Sequence, residues 1–248
     1  MLWTLAWIRR FIAALDLVLF TLVMLVLALL PRSTLRRFYP TLFHAWCRCF
    51  VRSLGVQIQL HQHQHRPLPK HYILIANHPS ALEDVGIPAF FPVRSLAKHE
   101  VKAWFLVGKI AEAAGTLFVE RDNKSSRLAA QTELIHAVNQ GDNIALYPEG
   151  GCHGRHLAPR FHFGAFATSL ATQTPIVPVF LQHEAQEIFE WRQGESLLQK
   201  IWAMMTSPNP VVHYHVFDPF IPQDYADKAH YCDAVYQQYL EWQARFLH

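Results

Sequence analysis

Charge is scarce in this 248-residue chain, where Asp, Glu, Lys and Arg make up 17% against about 25% in ordinary soluble domains. The net charge of +3 is small, and no Lys- or Arg-rich run or zinc-finger spacing is present, so no nucleic-acid surface is expected. Cys47, Cys49, Cys152 and Cys232 lack the paired spacing of a disulfide framework or a zinc site. One residue separates Cys47 from Cys49, which is too tight for C-x-x-C, and a reducing compartment fits this usage. A G-x-S-x-G turn is missing, which argues against a serine hydrolase. Nucleotide signatures, internal repeats and low-complexity segments are missing too.

Apolar residues are plentiful at 51%, enough for one sizeable core. Residues 11–30 form an apolar run broken only by Asp16, and about 20 such residues cross a bilayer's hydrocarbon. Pro31-Arg32-Ser33 offers no small-residue cleavage site, which argues against a cleaved signal peptide. Arg9 and Arg10 before the run and Arg32, Arg36 and Arg37 after it give no orientation by the positive-inside rule. A full span and a helix embedded in one leaflet both stay open. The expectation is membrane attachment, with the globular part on the cytoplasmic face. Residues 34–54 then pattern as an amphipathic helix with Phe38, Tyr39, Phe43, Trp46 and Phe50 against Arg36, Arg37, Arg48 and Arg52. It suits the headgroup boundary or, equally, a core helix with a solvated face. Residues 1–54 are thus assigned to membrane attachment and 55–248 to the globular domain.

Within that domain, strands are expected at 56–60, 72–76, 95–98, 116–119, 143–147, 175–180 and 211–216. Helices are expected after Ser80 and at 100–114, 124–139, 164–172 and about 224–246, with Leu128, Leu134, Ile135 and Val138 inward on the third of these. This alternation predicts an α/β sheet with helices on both faces. His61, His63 and His65 share one strand face by period two; a solvated face is expected, with adventitious metal binding as the alternative.

The chemistry gathers where an apolar strand stops at Asn77-His78-Pro79-Ser80 and a helical pattern begins, with Pro79 read as the first helical position. A histidine at that mouth with a nearby acid is the minimal oriented general base. Glu83 and Asp84 are the candidate acids. Within a helix they lie about 140° and 120° round from His78, so pairing requires His78 on the loop. Spacing favours Glu83, while residue type and the following Val85 favour Asp84; Glu83 is preferred and both are kept.

Four ordered blocks carry a resemblance. Asn77-His-Pro-Ser80 with its acid resembles the N-H-x-S-x-x-D block of the glycerolipid acyltransferases, the family of 1-acyl-glycerol-3-phosphate acyltransferase. Gly115-Thr-Leu-Phe-Val-Glu-Arg121 resembles the G-x-I-F-I-D-R block, and Tyr147-Pro-Glu-Gly150 the F-P-E-G-T-R-S block. Thr174-Pro-Ile-Val-Pro-Val179 resembles the fourth. The resemblance implies a mixed α/β sheet flanked by helices, of the glycerol-3-phosphate acyltransferase kind, with an N-terminal membrane helix. It further implies acyl transfer from acyl-CoA or acyl carrier protein to a lysophospholipid hydroxyl, most simply 1-acyl-glycerol 3-phosphate, with no cofactor and no metal.

Under that resemblance His78 is the base, oriented by Glu83 or Asp84, with transfer direct. No activated Ser or Cys nucleophile is required, and Cys152 is a secondary candidate for one. Ser80 or backbone N–H groups would support the oxyanion, and Asn77, Lys98, Glu149 and Gly150 would line the substrate side. Arg121 would clamp the phosphate. Gly151-Cys-His-Gly-Arg155 departs from the family's T-R-S, with Arg155 as the replacement cation at shifted register, and His162 stands where F-K-x-G-A has Lys. These departures leave open another lysolipid acceptor, including an amino-acid-derived one, or a non-catalytic lipid-binding protein of the same fold.

Overall fold

The computed structural model describes residues 2–104, 106–120, 123–192 and 194–247, with side chains from Ile8 onward except Arg32. Helix α1 (Leu2–Leu27) leaves Phe11, Leu15, Leu19 and Val26 more than half exposed. It contains one stretch, Ile8–Leu27, long and apolar enough to cross a membrane. Helix α2 (Arg32–Leu54) turns back along α1, and Tyr39 Oη donates to the Met24 carbonyl at 3.0 Å. Trp46, Cys47, Val51 and Leu54 of α2 are buried, while Arg36, Arg37, Arg48 and Arg52 are exposed. The inner face of α2 is therefore core. Gly55 ends it at φ +72°, a left-handed cap that glycine adopts without a Cβ penalty.

Seven strands follow: β1 (Gln57–Gln62), β2 (Ile73–Ala76), β3 (Arg94–Lys98), β4 (Leu117–Val119), β5 (Ile144–Leu146), β6 (Ile176–His183) and β7 (Val211–Val216). Their order is β1-β7-β6-β2-β5-β3-β4, with β6–β7 antiparallel and the other neighbours parallel. The sheet is mixed, as the resemblance implied. Both faces are covered, so β2 is buried along its whole length. Leu74 and Ala76 join the core under α2, while Ile73 and Ile75 meet Leu134, Phe166 and Tyr239 from helices on the other face.

Helix α3 (Glu83–Phe90) starts later than the sequence suggested. Pro79 lies in the loop rather than at the first helical position, because Ser80 Oγ accepts the Leu82 N–H and donates to Glu83, holding residues 80–82 outside the helix. The single helix expected over 100–114 is divided into α4 (His99–Lys102) and α5 (Val107–Ala113). Gly108 allows the reversal, since a Cβ there would fall 2.2 Å from the Lys102 carbonyl oxygen.

Helix α6 (Lys124–Asn139) has the expected bounds, with Asn123 capping its start. Leu128, however, is 61% exposed, because it lies about 120° from Leu134 round the helix. Helix α7 (Gly164–Thr172) also matches its expected range. Helices α8 (Gln186–Phe189) and α9 (Leu197–Thr206) lie outside the expected elements, and buried Lys200 ties them together through the carbonyls of Ile188 and Glu190. Helix α10 (Lys228–Phe246) begins at the Asp227 cap, four residues later than expected.

The histidine alternation is solvated only at His65, which is exposed and meets Asp218 at 2.7 Å. His61 and His63 each hydrogen-bond a partner on β7, His213 at 2.9 Å and His215 at 3.0 Å, and His215 stacks on Phe246 at 3.9 Å. Burial drives the His215 pKa down to about 3, with the neighbouring His61, His63, His213 and Arg245 adding to the fall.

Candidate active site

Parallel strands β6, β2, β5, β3 and β4 end at one edge of the sheet, and the loops after them face the same space. The loop after β2 presents His78, which is only 6% exposed. Four contacts from elsewhere in the chain fix that loop. Asn77 accepts the Leu181 N–H and donates to the Leu181 carbonyl, clamping the loop to β6. Glu149 Oε1 accepts the His78 N–H at 2.7 Å, and its Oε2 accepts the Ala158 N–H at 2.6 Å. His153 N–H donates to the His78 carbonyl, and Trp191 N–H to that of Pro79.

The carboxylate that meets His78 is Glu83. His78 Nδ1 lies 3.0 Å from Glu83 Oε2, inside a pair buried on both sides. Ser80 donates to the same carboxylate twice, from its backbone N–H at 2.9 Å and its hydroxyl at 2.8 Å. His183 Nε2, at the end of β6, sits 3.3 Å from Glu83 Oε1 without the alignment of a hydrogen bond. Asp84, next in the chain, is exposed on α3.

In the neutral ring, a carboxylate facing Nδ1 holds the proton there, so Nε2 presents its lone pair. Cys152 Sγ lies 3.3 Å from Nε2, and Tyr147 stacks on the imidazole at 4.1 Å. Burial would raise the Glu83 carboxyl, but His183 and His78 beside it outweigh that and hold it well below the usual carboxylate range. Burial would likewise lower His78, yet the bonds to Cys152 and Glu83 carry it well above 6.5. Glu149 is shifted upward by burial against the pull of its two backbone donors.

The other expected site residues divide into supports and rim groups. Asn77, Ser80 and Glu149 are buried, and their hydrogen bonds hold the loop that carries His78. Gly150 turns at φ +78°, where a Cβ would fall 2.6 Å from the His162 ring; glycine is needed for the turn that brings residues 151–155 back over His78. Lys98 lies at the exposed end of β3, 3.6 Å from Glu100. Arg155 pairs with Glu190 at 3.2 Å, and Glu190 also holds Arg192. Arg121, the expected phosphate clamp, lies outside the described residues. Among the described residues, no cluster of His, Cys, Asp and Glu is arranged to hold a metal ion.

A family model described as Acyltransferase matches residues 57–182, just over half of the chain. The chain belongs to the acyltransferase family. The matched stretch includes every site residue from Asn77 to Arg155 and stops one short of His183. A lyso-ornithine lipid O-acyltransferase of Pseudomonas aeruginosa is 30% identical over 159 residues, covering 62% of this chain and 61% of that protein. A 1-acyl-sn-glycerol-3-phosphate acyltransferase of Neisseria gonorrhoeae is 28% identical over 122 residues, 48% of each chain. The chain therefore matches between about half and three fifths of these relatives' length. The crystal structure of the 1-acyl-sn-glycerophosphate (LPA) acyltransferase PlsC from Thermotoga maritima superposes with a TM-score of 0.71, covering 98% of this chain and 94% of that one. At 18% identity, that likeness establishes the shared fold.

Two members of this acyltransferase's site were not singled out from sequence. His183 ends a strand that the pattern had stopped at Phe180, and continuing the buried alternation through His183 would have brought it to the same edge. The stacking of Tyr147 on His78 had no sequence signal beyond its place before Pro148-Glu149-Gly150.

Proposed function

We propose that this chain moves a fatty acyl group from an acyl thioester to the free hydroxyl of a lysolipid. The observation that carries this reading is the buried Glu83–His78 pair at the ends of the parallel strands, with Nε2, beside Cys152, as the basic atom. His78 takes the proton of the acceptor hydroxyl as the oxygen attacks the thioester carbonyl, and Glu83 stabilises the resulting imidazolium. Acyl-CoA or acyl carrier protein supplies the acyl group, with no further cofactor. The exposed apolar face of α1 lies in the bilayer and the domain works at its cytoplasmic side, where lysolipid acceptor and product partition.

The leading acceptor is 1-acyl-glycerol 3-phosphate, giving phosphatidic acid, with Arg121 as the clamp on the phosphate monoester. A lysolipid with an amino-acid headgroup is the second reading. It is favoured by the lyso-ornithine relative and by Arg155, which already pairs with Glu190 and so offers less to a phosphate. The test is acyl transfer by the purified chain in detergent from labelled acyl-CoA, repeated with acyl carrier protein. The acceptors are lysophosphatidic acid, lysophosphatidylcholine and lyso-ornithine lipid. Preference for lysophosphatidic acid supports the first reading, and preference for lyso-ornithine lipid the second. No product with any donor and acceptor sinks both.

A further inference from the structure

Asp16 is the one charge in the apolar run of α1, and it lines an open cavity together with two cations of α2. The cavity measures about 550 Å³, inside the range of about 300–1,000 Å³ usual for small-ligand sites. Asp16 and Phe20, one turn apart, form the α1 wall, while Ala45, Arg48, Cys49 and Arg52 form one stripe of α2. Cys49 is buried, whereas Asp16, Arg48 and Arg52 are exposed, so the charges stand at the mouth. Arg48 Nη1 donates to the Ala89 carbonyl at 3.4 Å, which steadies its guanidinium on the rim. Among the described residues, Asp16, Arg48 and Arg52 make no ion pair, with one another or with any other side chain. Opposite charges that share a cavity without pairing leave room between them for a ligand that carries both signs.

Position narrows the class of ligand. Leu15, Val18, Leu19 and Leu22 of α1 are more than half exposed, while the inner face of α2 packs on the core. The seam between the two helices therefore runs along the domain, where the apolar strip of α1 meets the arginines of α2. Charge on that line suits lipid headgroups, because a carboxylate left in hydrocarbon is costly.

We propose that this seam holds the headgroup of one bilayer phospholipid that carries a primary ammonium, the ethanolamine class; this rests on the membrane attachment proposed above. The phosphodiester lies between Arg48 and Arg52, whose planar guanidiniums match phosphate oxygens. The ammonium donates to the Asp16 carboxylate, and the acyl chains leave along the exposed strip of α1. A choline headgroup has no N–H to give Asp16. A glycerol headgroup brings no cation to it and sets a phosphate beside an uncompensated carboxylate. The lining residues all belong to α1 and α2, so this lipid is a resident one, held apart from the lysolipid that meets His78.

The test uses the full chain in detergent, incubated with equimolar dioleoyl phosphatidylethanolamine, phosphatidylglycerol and phosphatidylcholine and then freed of unbound lipid by gel filtration. Mass spectrometry of the retained lipid should show about one phosphatidylethanolamine per chain, at least about tenfold over either of the others. Arg48→Gln combined with Arg52→Gln should lose it. Asp16→Asn should erase the preference for phosphatidylethanolamine and raise the share of phosphatidylglycerol. Arg36→Gln combined with Arg37→Gln, about three turns away along α2 and outside the cavity, should keep the lipid. Melting temperatures are compared throughout, and the wild-type selectivity is a result that needs no variant to fold. Equal retention of the three lipids, or loss from the Arg36 and Arg37 pair as complete as from Arg48 and Arg52, overturns the site. A wild-type preference for phosphatidylglycerol makes it a site for anions alone and overturns the role given to Asp16. Flotation separates the two readings: a wild type that floats with vesicles yet retains no lipid selectively overturns the site alone. One that floats with no vesicle and retains no lipid overturns membrane attachment and the site together.

Discussion

Glu83 stands five positions after His78 in the chain, and 3.0 Å separate His78 Nδ1 from Glu83 Oε2. The contact exists because His78 stays on the loop while Glu83 opens α3; inside one helix the two would point about 140° apart. Ser80 decides this by bonding the Glu83 carboxylate through both its N–H and its hydroxyl.

Glu83→Gln should lower acyl transfer by about 10²–10⁴-fold, since the imidazolium loses its counter-charge while the side-chain volume stays the same. The pH profile gives a second readout. A base with a raised pKa is active only above it, so the acidic limb of kcat/KM should lie above pH 6.5 in the wild type. The substitution removes one of the interactions that raise His78, so that limb should move to lower pH. Asp84→Asn, on an exposed residue, should leave the maximal rate within about threefold, well under one kcal/mol of barrier. The opposite pattern would transfer the orienting role to Asp84.

Glu149 offers a contrast. Both of its oxygens accept backbone N–H groups, so Glu149→Gln turns an amide N–H toward one of those donors and leaves it unsatisfied. A loss of about 1–3 kcal/mol in stability is expected, read as a lower melting temperature alongside reduced transfer. Wild-type stability with lost activity would instead put Glu149 on the substrate.

How much of this was legible follows from how local each signal is. Helix α6 and strand β7 have their expected bounds, because the Asn123 cap and the alternation at 211–216 act within a few residues. The choice between Glu83 and Asp84 was not decidable from helix angles, since it depends on where Ser80 lets α3 begin. The split of α4 from α5 depends on a close approach at Gly108 that leaves no trace in hydrophobic pattern. Cys152 and His183 reach His78 and Glu83 only through strand order, Cys152 standing 74 positions after His78. The imidazole pairs likewise needed β1 to lie beside β7.

Those pairs predict acid sensitivity. A histidine with a folded pKa of about 3 contributes stability that is full above the unfolded value and is lost as pH falls through it. Between pH 8 and pH 5, His215 should therefore remove up to about 2 kcal/mol. His215→Phe, which keeps the stack on Phe246, should flatten that dependence in urea unfolding measured at both pH values. An unchanged slope would assign the acid lability elsewhere.

The apolar face of α1 sets the last expectation. Leu15 and Leu19, each at least 60% exposed, lie four residues apart on one side of a helix that packs its other side on α2. Replacing Leu19 by Asp puts a charge into the apolar stretch, at about 2.5–3.5 kcal/mol for a site at the bilayer centre. Arg36, Arg37, Arg48 and Arg52 on α2 add attraction to anionic lipid, about 1 kcal/mol for each one near the surface. Flotation with vesicles containing phosphatidylglycerol should carry the wild type upward and release much of Leu19→Asp. Salt should weaken both, and more so for the variant, whose remaining attachment is electrostatic. If Leu19→Asp floats like the wild type, the exposed side of α1 is not the lipid-facing surface, and the arginines of α2 must hold the domain at the membrane without it.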